Sequence, residues 1–157
     1  MFFRNRHKFS VENPLSSGGM RNALNDFFNG IRFRPNDPLY APVTVEQMQL
    51  IWSELQRDCR KSGLPAYKLH DHDCDDILLT GWKWNAHKWW YRNCKTRGVV
   101  EGTGSFHYTT RNGFLHYAVW RLTPDYEIDT WNYYNGNRDL VLNPLTRKEL
   151  STADQAY

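Results

Sequence analysis

The hydrophobic period of the chain changes once, at Gly98, and that change limits the folds available to it. Before this glycine, apolar side chains recur at spacings of three and four, the period of a helix. After it they alternate, the period of a strand. Val45, Met48, Trp52 and Leu55 make one helical stripe, and Leu78, Trp82, Ala86 and Trp89 make another. The first helix starts at Thr44, whose hydroxyl caps it while Gln47 reaches back, and Gly63 with Pro65 stops it. The second runs from Ile77 to Tyr91. Val99 to Thr103, Ser105 to Thr110, Phe114 to Leu122 and Glu127 to Tyr133 read as strands, joined by turns at Arg111-Asn112-Gly113 and Thr123-Pro124-Asp125. Helices followed by a strand meander predict an α+β fold with an antiparallel sheet.

Residues 1–40 read as an irregular lead-in with one short helix, Met20 to Phe28, after which Pro35, Pro38 and Pro42 keep the chain extended. Residues 41–157 are expected to form a single domain, ending in a short polar helix or tail over Leu145 to Tyr157. A chain of 157 residues with 40% hydrophobic residues is long enough to bury a core without staples. Its apolar material is mostly large rings: aromatic content is 15% while mean hydropathy is -0.75, which excludes a membrane span and a disordered tail. A formal net charge of +3 falls short of the dense basic patch of most nucleic-acid binders, so nucleic acid is not expected as the main partner. The segment Met1 to Lys8 lacks the apolar run of a signal peptide, and three cysteines cannot all pair within the chain. Both observations predict a cytoplasmic protein with reduced thiols.

The three cysteines differ in position. Cys59 and Cys94 fall near the C-terminal ends of predicted helices, where the dipole favours the thiol, whereas Cys74 falls at a helix start, where unpaired N–H groups favour the thiolate. A thiol nucleophile also needs a base and a group that orients the base. His116 lies near the start of a predicted strand, and Asn132 lies at the end of the next, so adjacent antiparallel strands can bring the two together. Against this stand Asp73, Asp75 and Asp76, which disfavour a thiolate beside them. Cys74 and His116 read equally well as a buried hydrophobe and a half-buried strand histidine.

The run Asp73-Cys74-Asp75-Asp76 entering a helix, the His-aromatic-Ala strand at His116-Tyr117-Ala118 and a polar turn one strand later resemble the papain-like cysteine peptidases. The resemblance is to the protease domain appended to a fungal agglutinin and to small bacterial and phage proteins similar to it, over roughly residues 64–140. It implies a papain-like fold and a thiol hydrolase, a protease or amidase, acting on a protein or peptide substrate without a cofactor. Cys74 would be the nucleophile, His116 the base and Asn132 the orienting residue, with Asp129 or Glu127 as the alternative third member. No Gln stands in Tyr67 to His72, where such enzymes place an oxyanion-hole side chain.

Two other readings come from the residues themselves. His70, His72 and Cys74 alternate, so in an extended segment they would face one way and could hold Zn²⁺, while Asp71, Asp73 and Asp75 would face the other and suit a hard cation. The Trp-rich helix carries Trp82, Trp84, Trp89 and Trp90, which cannot share one helical face. Some of these rings must therefore be exposed. With Lys83, Lys88, Arg92, Lys95 and Arg97 interleaved, the helix suits a non-catalytic module that binds a protein or stacks nucleobases. His87 and His107 read as surface or structural residues.

Overall fold

The computed structural model describes residues 8–65, 73–133 and 139–157, and the account below concerns these. In chain order they form β1 (Leu15–Ser16), α1 (Ser17–Phe28), β2 (Leu39–Ala41), α2 (Val45–Lys61), a π-helical segment (Asp75–Gly81), α3 (Trp82–Asn93), β3 (Val99–Glu101), β4 (Thr103–Thr109), β5 (Leu115–Leu122), β6 (Ile128–Asn132), β7 (Val141–Leu142) and α4 (Arg147–Thr152). The architecture is mixed α+β, with two sheets in the orders β1-β2-β3 and β4-β5-β6-β7.

α2 follows directly from its sequence. The Thr44 hydroxyl accepts from the Gln47 N–H at 3.1 Å, and the Gln47 side-chain Oε1 accepts from the Thr44 N–H at 2.9 Å, closing a capping box. Met48, Ile51, Trp52 and Leu55 are buried on the inner face. Gly63 carries the positive φ of 72° that ends the helix region. The next helical region departs from a regular α-helix. Cys74 is already helical (φ -62°, ψ -32°), and the backbone widens to a π-helix whose Trp82 N–H donates to the Ile77 carbonyl, five residues back. This wider turn ends as α3 begins, with Trp82 fully buried.

The four-stranded sheet lies between two apolar clusters. Val119 and Trp131 face one cluster, built from α2, the π-helical segment and α3 around Trp52, Leu78, Trp82 and Trp89. Phe106, Ala118 and Trp120 face the other, built with Met20, Leu24 and Phe28 of α1. Full burial of each such side chain contributes about 2 kcal/mol. The smaller sheet joins distant parts of the chain, because β2 pairs in parallel with β3 from Leu39↔Val99 to Ala41↔Glu101. Two glycines permit close backbone approaches: a Cβ at Gly102 would lie 2.4 Å from the Ala41 carbonyl oxygen, and one at Gly104 would lie 1.9 Å from that of Tyr157.

Candidate functional site

The sheet register decides where His116 and Asn132 go. Tyr108 on β4 is opposite His116 on β5, and further along β5 Val119 pairs with Trp131 and Trp120 with Thr130 of β6. Even-numbered residues of β5 and β6 therefore share one face. His116 Nε2 lies 2.8 Å from Asn132 Oδ1, and Asn132 Nδ2 donates to the Tyr108 hydroxyl at 3.2 Å. With its amide donating to Tyr108, Asn132 presents its carbonyl oxygen to His116, which makes Nε2–H the donor. Asn132 is fully buried. Asp129 is on the opposite face of β6, where its two oxygens accept from Arg121 Nε and Nη2 at 2.8 Å each and one accepts from the Trp131 indole at 2.8 Å. Asp129 holds Arg121 and not His116.

Cys74 is half-buried at the N-terminal edge of the π-helical segment, whose contacts include β5. Burial pushes its thiol up, the N–H of Tyr117 opposes that shift, and Asp73 and Asp75 add to it. Burial also pulls the His116 imidazole down, against the bond to Asn132. Both shifts favour a neutral thiol and a neutral imidazole. Cys59 is half-buried and Cys94 is buried, so all three cysteines are free thiols. Of the expected Zn²⁺ ligands, His70 and His72, like Asp71 and the segment Tyr67 to His72, lie outside the described residues. The Asp73, Asp75 and Asp76 carboxylates come within 4.8 Å of one another, and the hydrogen bond between Asp73 and Asp75 raises the pKa of Asp75.

A cleft of about 470 Å³ opens elsewhere, between the start of α3, β3 and the loop leading to β2. Its position follows from the Trp pattern of α3. Trp82, Trp89 and Trp90 are buried, while Trp84 is 60% exposed and Tyr91 is 66% exposed. Trp84 stands at the cleft with Lys88 placed 5.7 Å above its ring. Glu101, at the end of β3, is 7% exposed. One of its oxygens lies 3.4 Å from His87 Nδ1, and the other has no hydrogen-bond partner among the described residues. Burial pushes the Glu101 carboxyl up, and its own backbone N–H and His87 oppose the shift. Trp120 also lines the cleft, and its indole N–H has no hydrogen-bond partner among the described residues. Asn36 and Asp37 border the opening from the loop. Glu101 and Trp120, both buried residues of the cleft lining, bring a carboxylate oxygen and an indole N–H, a donor–acceptor set suited to a polar ligand.

The crowding of four tryptophans on α3 requires that some ring be exposed without saying which, and the sequence does not single out Glu101 or Trp120. The available signal was an acidic residue at the end of the apolar run Val99-Val100, where an inward position requires a partner.

No family model and no curated protein matches the chain. Among solved structures it is similar to a "PSL1a-E64 complex" and to Polyporus squamosus lectin bound to the human-type influenza-binding epitope Neu5Aca2-6Galb1-4GlcNAc. Each comparison has a TM-score of 0.64 at 17% identity, over 91% of this chain and 49% of the solved chain. The chain thus spans about half the length of the lectin chains whose fold it shares. These likenesses overturn the papain-like peptidase reading and the thiol protease, hydrolase and phage-like assignments made with it. A protein or peptide substrate is not supported either. No helix among the described residues is long and apolar enough to cross a membrane.

Proposed function

We propose that this protein is a non-catalytic binding module whose cleft beside Trp84 takes a carbohydrate. The observation that carries this reading is a buried Glu101 oxygen without a hydrogen-bond partner among the described residues, in a cleft also lined by an exposed tryptophan. A sugar ring offers an apolar C–H face together with hydroxyls at its edge. Trp84 supplies a flat surface for the face, and Glu101 and the Trp120 indole supply an acceptor and a donor for hydroxyls. The cleft volume of about 470 Å³ falls within the ordinary range for small-ligand sites. The similarity to a lectin bound to a glycan adds support. In this reading Cys74, His116 and Asn132 are packing and hydrogen-bonding residues of the sheet and its flanking helix.

Titration calorimetry against a panel of oligosaccharides tests the assignment. A binding glycan is expected to lose at least tenfold in affinity with Trp84→Ala, corresponding to about 1.4 kcal/mol. Circular dichroism should stay unchanged, because Trp84 is 60% exposed and not part of either apolar cluster. Absence of glycan binding across the panel, or affinity unaffected by Trp84→Ala, would contradict the reading.

A further inference from the structure

The cleft does not end at His87. That residue also borders a second depression with Tyr91 and Arg97, and those two border a third depression of about 690 Å³ with Lys8, Arg57 and Arg92. The three hollows follow the exposed side of α3 in sequence. From Trp84 to Arg92 the helix rises about 12 Å, enough for more than one sugar ring.

The two ends differ in charge. At the Trp84 end the innermost polar group is the Glu101 carboxylate, which disfavours an anion. At the far end four cations, Lys8, Arg57, Arg92 and Arg97, meet one carboxylate, Glu54. Glu54 is paired with Arg92 at 2.5 Å, and Lys8 donates to the Arg92 carbonyl oxygen. Arg97 is held with its guanidinium 5.0 Å from the centre of the exposed Tyr91 ring, so that a ring surface and a cation are presented together.

Resting on the carbohydrate reading, we propose that the ligand is an acidic glycan chain, lying along α3 with an uncharged ring against Trp84 and Glu101 and with carboxylate or sulfate groups at Lys8, Arg57 and Arg97. The positive end supplies charge complementarity for oxyanions, and the negative end sets the direction of the chain. The Tyr91 ring provides a second stacking surface between the two.

Binding of three size-matched probes tests this: a heparin hexasaccharide, its fully desulfated, N-acetylated and carboxyl-reduced form, which carries no anionic group, and a single-stranded oligothymidylate. The sulfated sugar is expected to bind at least tenfold more tightly than the desulfated one at low salt, and the advantage should shrink as salt rises. The double variant Arg57→Gln/Arg97→Gln should abolish that advantage. Both side chains are exposed, so the fold should be retained. Equal affinity for the two sugars overturns the acidic-glycan inference while the carbohydrate reading stands. Failure of both sugars to bind overturns the carbohydrate reading itself. Tighter binding of the oligothymidylate than of either sugar, lost in the double variant, overturns the inference in favour of a nucleic-acid groove.

Discussion

Asp129→Ala is expected to destabilise the protein by about 3 kcal/mol, the lower end of the range for breaking a buried ion pair. Asp129 accepts two hydrogen bonds from Arg121, whose side chain is 9% exposed, and a third from the Trp131 indole. Arg121 also donates to the Val43 carbonyl oxygen at 2.9 Å, joining the sheet to the residue just before the Thr44 cap. Removing the carboxylate leaves a guanidinium in a site too enclosed to rehydrate freely. Truncating both partners, in Arg121→Met/Asp129→Leu, should therefore be less damaging than Asp129→Ala alone. Urea denaturation monitored by Trp fluorescence measures this, and a loss below about 0.5 kcal/mol for Asp129→Ala would show that the pair is screened as at a surface.

Glu101→Gln should move stability and binding in opposite directions. Burial raises the Glu101 pKa in the folded state, so the folded protein holds a proton at pH values where the unfolded chain has released it. Stability contributed by this group consequently falls as pH rises from the ordinary glutamate range through the raised folded value. The substitution removes that fall and is expected to add about 1 kcal/mol at neutral pH, where the buried charge is no longer formed. The same change replaces a charged acceptor with a neutral amide and should weaken glycan binding by at least tenfold, since hydrogen bonds to charged groups contribute about 1.5–3 kcal/mol. Thermal melts across pH 4–8, set beside calorimetric titrations, measure both effects. A variant that loses stability and keeps full affinity would place Glu101 in the scaffold alone.

The parts of the fold that were legible in the sequence are those whose signals are local. The Thr44–Gln47 box marked the start of α2, and alternation with Asn112-Gly113 marked the β4–β5 hairpin. Even spacing along neighbouring strands was enough to place His116 beside Asn132. The small sheet was not legible. β1, β2 and β3 are two or three residues long, and the β2–β3 pairing joins Leu39 to Val99 through contacts that no nearby residue announces. The π-helical segment was missed for a different reason. Its Leu78 and Trp82 keep a helical spacing, while the widening occurs in the backbone hydrogen bonds, as from Trp82 to Ile77. The hydrolase reading rested on Cys74. A thiol at a helix start carried the inference, whereas burial and two acidic neighbours raise the pKa of that thiol. The residues around the α3 cleft, by contrast, come from β2–β3 and α3, and only folding shows that Glu101 and Trp84 belong together.

Indole ¹⁵N–¹H spectra of the protein, titrated with a binding oligosaccharide, test the central claim most directly. Seven tryptophans give seven potential reporters. The Trp84 and Trp120 indole signals should move on saturation, the first from stacking and the second from a new hydrogen bond. Trp90 and Trp131, whose indole N–H groups already donate to the Val99 carbonyl and to Asp129, should stay in place. Unmoved Trp84 and Trp120 signals, with perturbations centred instead on Cys74 and His116 and an amide-cleaving activity lost in Cys74→Ala, would contradict the account.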